Sequence, residues 1–456
     1  MLIELDNKIR LVNPDLNMIH ELKEKFRMVN PIWAENKREG RWNGEIPRDL
    51  FAWKWDQSLN VFSCLRGCTG YILSFLRKNG VEYNLVDKRL SISPDGEFKF
   101  SGNLKPFQEE AWEHVSSMDF GILEAATGSG KTVMALHAAA MRQQKCLIIV
   151  HTKDLLLQWR ERIQSFISGN YEIGMIGDGK NFMADMTVAT IQSLKNPETL
   201  SVVSEKFGFV IVDECHRIPS KTFSKVITEF RSKYMLGLSA TPYRRDGLTN
   251  FIAWHLGRMS HIVDDKALKD DGHIMPVDLV CRDTGFKTSH DPSEEYSKML
   301  SELASDIDRN WMIVVDIVEE YKSQFGVILV LSDRKSHCEI LRNMLLFGFG
   351  ITSGVLTGNL SAKKRGIVKR DIDNKVIRVI FATGQLVGEG FDLPAMEILF
   401  IATPIRFKGR VIQFVGRIRR PVEGKTPKVY DYRDVHIGVL VNSARHRRRV
   451  LTEMGK

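Results

Sequence analysis

The stretch Ala126-Thr127-Gly128-Ser129-Gly130-Lys131-Thr132 constrains this chain more than any other. It follows the apolar run Gly121-Ile122-Leu123, a short strand by pattern. It precedes Val133 to Ala140, which are rich in helix formers. A glycine-rich loop between a strand and a helix, closed by Lys-Thr, is built to wrap phosphate groups. The glycines let backbone N–H groups converge on phosphate oxygens, and the helix N-terminus adds partial positive charge. Thr127, Gly128, Ser129 and Gly130 would form the cradle. Lys131 can reach the β- and γ-phosphates of a nucleotide, and the Thr132 hydroxyl can bind Mg²⁺. The position five before Gly130, usually glycine in such loops, is Ala125 here.

The rest of the chain has the rhythm that such a loop needs. Apolar runs at 146–150, 209–212 and 235–238 alternate with helical stretches, and the pattern resumes at 327–331, 376–382 and 398–402. Continuous apolar runs mark parallel strands covered on both faces. The expected fold class is therefore α/β, with two doubly wound parallel-sheet lobes and a small N-terminal α+β domain. The expected boundaries are 1–100 for the accessory domain, 101–272 for the first lobe and 273–456 for the second. A polar stretch at 284–310 is expected to be a linker carrying a helical element. Within the N-terminal part, Tyr71 to Leu76 predict a helix closing at Asn79-Gly80, and Val81 to Val86 alternate like a strand.

Composition narrows the class further. The 456 residues are enough for two or three cores. No apolar run approaches the roughly 18 residues of a membrane span, and the N-terminus lacks the pattern of a signal peptide. A cytoplasmic protein without a membrane partner is expected. Of the six cysteines only Cys64 and Cys68 lie close together, so reduced thiols and no metal–sulfur cluster are expected. The formal net charge of +9 suits a polyanionic partner. The run Arg445-His446-Arg447-Arg448-Arg449 reads first as a solvated helix face.

A second motif completes the phosphate loop. Val210-Ile211-Val212 runs directly into Asp213-Glu214-Cys215-His216. Asp213, at the end of a strand, can hold the Mg²⁺ shell, and Glu214 can orient and polarise an attacking water. His216 can report nucleotide state to Ser239 and Thr241 on the neighbouring segment, while Cys215 reads as a small buried residue. Near the end of the chain stands Gln413-Phe414-Val415-Gly416-Arg417-Ile418-Arg419-Arg420-Pro421. Arg417 and Arg420, three apart, would share one helix face, with Arg419 pointing elsewhere. A guanidinium reaching in from another lobe stabilises charge on a transferring γ-phosphoryl group.

With these strings the chain resembles a superfamily 2 helicase of the DEAD/DEAH-related group, over roughly residues 104 to 421. Pro106-Phe107-Gln108 resembles the element that reads adenine, with Gln108 as reader. Val150-His151-Thr152-Lys153-Asp154-Leu155-Leu156-Leu157-Gln158-Trp159 and Ala189-Thr190-Ile191-Gln192-Ser193-Leu194 resemble the two strand-tracking motifs. Leu238-Ser239-Ala240-Thr241-Pro242 resembles the coupling motif. Thr383 with Gly388-Glu389-Gly390-Phe391-Asp392 resembles the fifth motif, and Gln413 to Pro421 the sixth. Helicases commonly begin the phosphate loop with alanine, as Ala125 does. The resemblance implies RecA-like lobes and the cofactors ATP and Mg²⁺. It implies catalytic roles for Lys131, Asp213, Glu214, Gln413, Arg417 and Arg420, and nucleotide contacts from Gly390 and Asp392. It also implies DNA contacts from Thr152, Gln158, Thr190, Gln192 and Thr383, and coupling by His216, Ser239 and Thr241.

Finer features are similar to the XPB-like and UvsW-like subgroup. Tyr243-Arg244-Arg245-Asp246-Gly247 resembles its Arg-Glu-Asp element, with Arg245 where a glutamate would stand. The compact length resembles phage or prokaryotic members, among them branch-migration helicases of DNA repair, recombination and replication. That resemblance implies forked or otherwise branched DNA as partner and a host-cell cytoplasmic location if the source is a phage; the oligomeric state stays open, a monomer being plausible. A double-stranded DNA translocase, an RNA-stimulated ATPase and an inactive nucleotide-dependent scaffold are the alternative readings. Trp33, Trp42, Trp53 and Trp55 crowd the N-terminal part, where an exposed aromatic could stack on bases.

Overall fold

The computed structural model describes the chain except residues 127, 241–246, 264–267, 269–271, 324–325, 359, 361, 385–395, 405–407, 420, 422–425 and 456, with the backbone alone at 260, 362–363, 408–410, 413, 453 and 455. The expectations for Thr127, Thr241, the 243–246 element, Gly390, Asp392, Arg420 and the Gln413 side chain lie outside the described residues. The rest falls into two compact units, one of residues 1–126 and 130–263, the other of residues 264–456 together with 127–129.

The first unit opens with strands β1 (Leu2–Leu5), β2 (Lys8–Val12), β3 (Arg27–Val29), β4 (Asp49–Phe51), β5 (Trp53–Asp56), β6 (Val61–Leu65) and β7 (Asn84–Asp87). Five of them form a mixed sheet in the order β5-β6-β2-β1-β7, and β3 pairs with β4. β1 and β2 alternate buried and half-buried residues, so one sheet face is covered. The cover is helix Leu16–Lys25 and helix Thr69–Lys78, which ends at Asn79 followed by Gly80 at φ +66°, as its sequence predicts.

The same unit continues into strands β8 (Phe98–Phe100), β9 (Phe120–Glu124), β10 (Cys146–Val150), β11 (Ile167–Gly169), β12 (Ile173–Gly177), β13 (Lys180–Phe182), β14 (Met186–Thr190), β15 (Phe209–Asp213), β16 (Tyr234–Ser239) and β17 (Met259–Ile262). Eight of these make one sheet in the order β13-β12-β14-β10-β15-β16-β9-β17, while β8 pairs with β11. Every pairing in the eight-stranded sheet is parallel except that of β12 with β13. After β9 the chain crosses to β10, and β15 and β16 later fill the space between them. The carboxyl ends of β9, β16, β15, β10 and β14 thus lie side by side, the edge where open α/β sheets bind ligands.

The N-terminal sheet shares its core with this lobe. Trp254, from helix Thr249–Leu256, is buried among Ile3, Leu5, Ile9 and Leu76. The buried Arg66 guanidinium donates to the Ser232 carbonyl and lies over the Phe120 ring. A Cβ on Gly67 would stand 2.1 Å from the Ala253 carbonyl oxygen, so only glycine permits this approach.

The second unit has one six-stranded parallel sheet, from β18 (Asp278–Thr284), β19 (Val327–Ser332), β20 (Ser353–Leu356), β21 (Val379–Thr383), β22 (Met396–Ile401) and β23 (Lys428–Asp434), in the order β18-β23-β22-β19-β21-β20. Apolar clusters cover both faces, one around Leu329, Leu399 and Phe414, the other around Val330, Phe381 and Phe400. Both lobes are RecA-like parallel sheets, the fold class expected. The stretch 284–310 contains helix Tyr296–Ser305 and the start of helix Ile307–Ser323.

The basic run sits on helix Gly438–Gly455 and is not uniformly solvated. Arg445, His446, Arg448 and Arg449 are exposed, but Arg447 is only 3% exposed. Its Nε donates to Asp431 at 2.8 Å. Five consecutive residues cannot share one helix face, because each is turned about 100° from the last.

Candidate functional site

The phosphate loop emerges from β9 and enters helix Lys131–Arg142. Gly128 and Gly130 have φ of +96° and +85°, the left-handed region that favours glycine. Gly130 has a second reason, since a Cβ there would lie 2.5 Å from the Gln108 amide nitrogen. Gln108 is buried, its Oε1 accepts the Lys105 backbone N–H at 3.0 Å, and its amide packs on the loop. Lys131 donates from Nζ to the Ala125 carbonyl at 2.9 Å. Burial lowers the Lys131 pKa, opposed by the charges of Glu214 and Asp213. Thr132 follows in the first turn of the helix.

Register sets the acidic box beside the loop: Leu238 of β16 pairs with Asp213 of β15, and Ser239 pairs with Glu124 of β9. Both Asp213 oxygens are held. Oδ1 accepts its own chain's Glu214 N–H at 2.9 Å, and Oδ2 accepts the Trp159 indole N–H at 2.9 Å. Burial, then the Glu214 charge, pushes the Asp213 carboxyl upward. Glu214 has φ +50° and ψ 49°, a left-handed backbone rare outside glycine, asparagine and aspartate. Such strain persists where the surroundings enforce it, and it turns the Glu214 carboxylate out of the strand direction. Burial alone would raise its pKa, but His216 and Lys131 outweigh that and hold it down. His216 Nδ1 lies 3.2 Å from Glu214 Oε2 and 3.3 Å from Ser239 Oγ, so one imidazole touches the acidic box and the coupling strand.

The strand-tracking residues stand further along the same edge, where Val150 of β10 pairs with Thr190 of β14. Thr152 and Thr190 each cap a helix, accepting N–H bonds from Leu155 and Ser193. Thr190 Oγ1 also lies 2.9 Å from Ser193 Oγ. Gln158 is half-buried and Gln192 exposed.

Three residues here receive no role from the sequence, and of them only Glu124 lies outside the motif strings. Trp159 was visible only as the end of a motif string. Glu124 is pushed up to about 7 by burial, against the pull of Lys131, and its Oε2 has no hydrogen-bond partner. His151 is lowered to about 4 by burial, with neither ring nitrogen hydrogen-bonded. All three depend on neighbours brought together by the sheet.

Thr132 and Asp213 offer oxygen donors, the type Mg²⁺ prefers. The Asp213 carboxylate fits that role, since each oxygen keeps lone-pair capacity beyond the N–H it accepts.

Residues 101–244 match the family model described as type III restriction enzyme, res subunit, and residues 311–422 match the helicase conserved C-terminal domain. This chain belongs to the superfamily 2 helicases. These are, as a family, ATP-hydrolysing enzymes. A putative ATP-dependent RNA helicase of Acanthamoeba polyphaga mimivirus is 27% identical over 361 residues, covering 75% of this chain and 66% of that protein. A DNA 3'-5' translocase, XPB2, of Sulfurisphaera tokodaii is 34% identical over 210 residues, covering 45% of this chain and 46% of that protein. The matches thus span less than two thirds of the length of either relative. The solved structure of T4 UvsW aligns with 100% of this chain and 98% of its own, at 17% identity and a TM-score of 0.42.

In the second lobe of this helicase, Thr383 is buried at the end of β21, in register with Ser332 of β19. Arg417 is half-buried on helix Lys408–Ile418. Arg419 follows the end of that helix and is buried, and its Nε donates to the Met275 carbonyl at 3.1 Å.

Two other features of the helicase do not fit its chemistry. A cavity of about 580 Å³ lies at the seam between the N-terminal sheet and the first lobe, lined by apolar residues such as Phe26, Leu73, Phe120 and Trp254. It holds none of the phosphate-loop or acidic-box residues. Glu110, His114 and His261 bring donor atoms within 4.8 Å of one another. The two imidazoles stack at 18°, so their in-plane lone pairs do not converge on one ion. Among the described residues no helix is long and apolar enough to cross a membrane.

Proposed function

We propose that this chain is a Mg-ATP-driven DNA helicase or translocase that unwinds or remodels branched DNA such as forks and junctions. The observation that carries the reading is the shared carboxyl edge, where Lys131, Asp213, Glu214, His216 and Ser239 stand beside Thr152 and Thr190. Lys131 exchanges its loop carbonyl for the β- and γ-phosphates, and Gln108 reads the adenine. Glu214 orients the attacking water and takes its proton. Thr132 and Asp213 would hold Mg²⁺, which would supply charge neutralisation at the phosphates. His216 passes the state of Glu214 to Ser239 and the coupling motif. Arg417 and Arg420 stabilise the γ-phosphoryl group in the transition state.

Branch selectivity needs a contact surface beyond the two lobes, whose contacts to phosphates are blind to structure. The N-terminal sheet supplies a candidate. Trp53 donates its indole N–H to the Lys23 backbone carbonyl and lies beneath that residue's ammonium, and Trp33 is flanked by Lys37 and Arg48. Trp42 is 91% exposed, beside the turn at Gly44. A tryptophan so exposed is suited to stacking on an unpaired base. The four exposed basic residues of helix Gly438–Gly455 supply phosphate contacts.

A second reading, an RNA-stimulated ATPase, is favoured by the name of the mimivirus relative. One panel separates the two: ATP hydrolysis with single-stranded, duplex and forked DNA and with RNA, at fixed salt. The proposal expects the forked DNA to stimulate most. Greater stimulation by RNA would replace it with the second reading, and no stimulation by any ligand would leave a nucleotide-dependent scaffold.

A further inference from the structure

The Asp213 carboxylate is oriented from outside its own strand. Its Oδ2 accepts the indole N–H of Trp159 at 2.9 Å, and Trp159 is 2% exposed. A buried indole N–H needs an acceptor, and a backbone carbonyl is the usual choice. Here the acceptor is a carboxylate at the proposed metal position. With Oδ1 held by the Glu214 N–H, the second bond fixes the plane of a group that otherwise rotates freely.

Trp159 belongs to helix Lys153–Phe166, whose N-cap is Thr152. Seven residues separate Thr152 from Trp159, about two turns, so both fall on one side of the helix. A rigid helix therefore carries a residue proposed to touch the nucleic-acid strand at its start and a hydrogen bond to Asp213 two turns later. The bond length leaves little slack. A shift of roughly 0.6 Å along N···O takes a bond of this length beyond hydrogen-bonding range.

We infer that Trp159 is a positioning residue that transmits strand engagement at Thr152 and Gln158 to the orientation of the Asp213 carboxylate, and so to metal-nucleotide binding. The inference rests on the reading of Asp213 as the Mg²⁺ holder. A partner two turns away, in the motif that follows the strand, makes the metal position responsive to DNA rather than merely stable.

The test uses the full chain with Mn²⁺ as probe, its binding with ADP followed by electron paramagnetic resonance. Trp159→Phe keeps a ring and removes the N–H. Should that variant fail to fold, benzothienylalanine at position 159 replaces only the N–H by sulfur. Metal affinity is expected to fall on the order of 10- to 100-fold. DNA affinity should stay within about twofold, while the ratio of DNA-stimulated to basal ATP hydrolysis drops toward one. In the unsubstituted protein, the Trp159 indole ¹H–¹⁵N resonance, assigned by its loss in Trp159→Phe, should move when single-stranded DNA is added. Unchanged metal affinity and unchanged stimulation in a folded variant would overturn the inference. Asp213→Asn is the control: if it too leaves Mn²⁺ binding intact, the reading of Asp213 itself falls.

Discussion

Gly130 is a residue at which two independent constraints meet. Its φ of +85° strains any side chain, and a Cβ there would displace the Gln108 amide, 2.5 Å away. Gly130→Ala is expected to cost about 1–3 kcal/mol in backbone strain alone and to weaken ATP binding, measurable by thermal melting and nucleotide titration. Glu124 makes a prediction about pH. Its folded-state pKa, near 7, lies above the ordinary carboxylate value, so the folded protein resists ionising it. That penalty is absent at low pH and grows as pH rises toward 7. Glu124→Gln should therefore raise the melting temperature relative to the unsubstituted protein more at pH 8 than at pH 5, and an equal shift at both would contradict the assignment. Lys131, Asp213 and Glu214 are legible in the sequence because each is fixed by a short string beside a strand. The left-handed backbone of Glu214 and the pairing of Trp159 with Asp213 are not, because they arise from residues far apart in the chain.

Among the elements, the parallel strands are the most legible. Each apolar run from 146–150 to 398–402 lies in or overlaps a strand, the pattern expected of strands buried on both faces. The run 376–382 illustrates the limit, because β21 begins only at Val379 and Val376 is exposed. Least legible is the seam between the N-terminal sheet and the first lobe. Nothing local in Gly67 or Trp254 announces it. Gly67→Ala would place a methyl 2.1 Å from the Ala253 carbonyl and force the seam apart. Overpacking of that kind costs typically about 1–3 kcal/mol, visible as a lower denaturation midpoint of the first unit. Trp254 gives the complementary expectation. Cutting the chain near residue 100 would expose it and strip the partner of Ser232, so point substitutions test the N-terminal sheet more cleanly than truncation.

At the scale of the whole molecule, the proposed function needs arginines of the second lobe for ATP turnover and the N-terminal part for selectivity. Arg417→Ala or Arg420→Ala should slow ATP turnover on the order of 10³-fold or more, with a much smaller change in ATP affinity. A defect confined to affinity would argue against a transition-state role for both. Trp42→Ala should reduce fork unwinding while leaving single-strand-stimulated ATP hydrolysis unchanged, and Trp42→Phe should restore it. Equal loss of both activities would remove base stacking from the mechanism. The most direct measurement is steady-state ATP hydrolysis with and without forked DNA for the unsubstituted chain and Glu214→Gln, with ATP binding measured on the same preparations. Strong stimulation by the fork is expected in the former, and near-complete loss of turnover with ATP binding retained in the latter. Near-normal turnover by Glu214→Gln, or no stimulation of the unsubstituted chain, would contradict the proposed function.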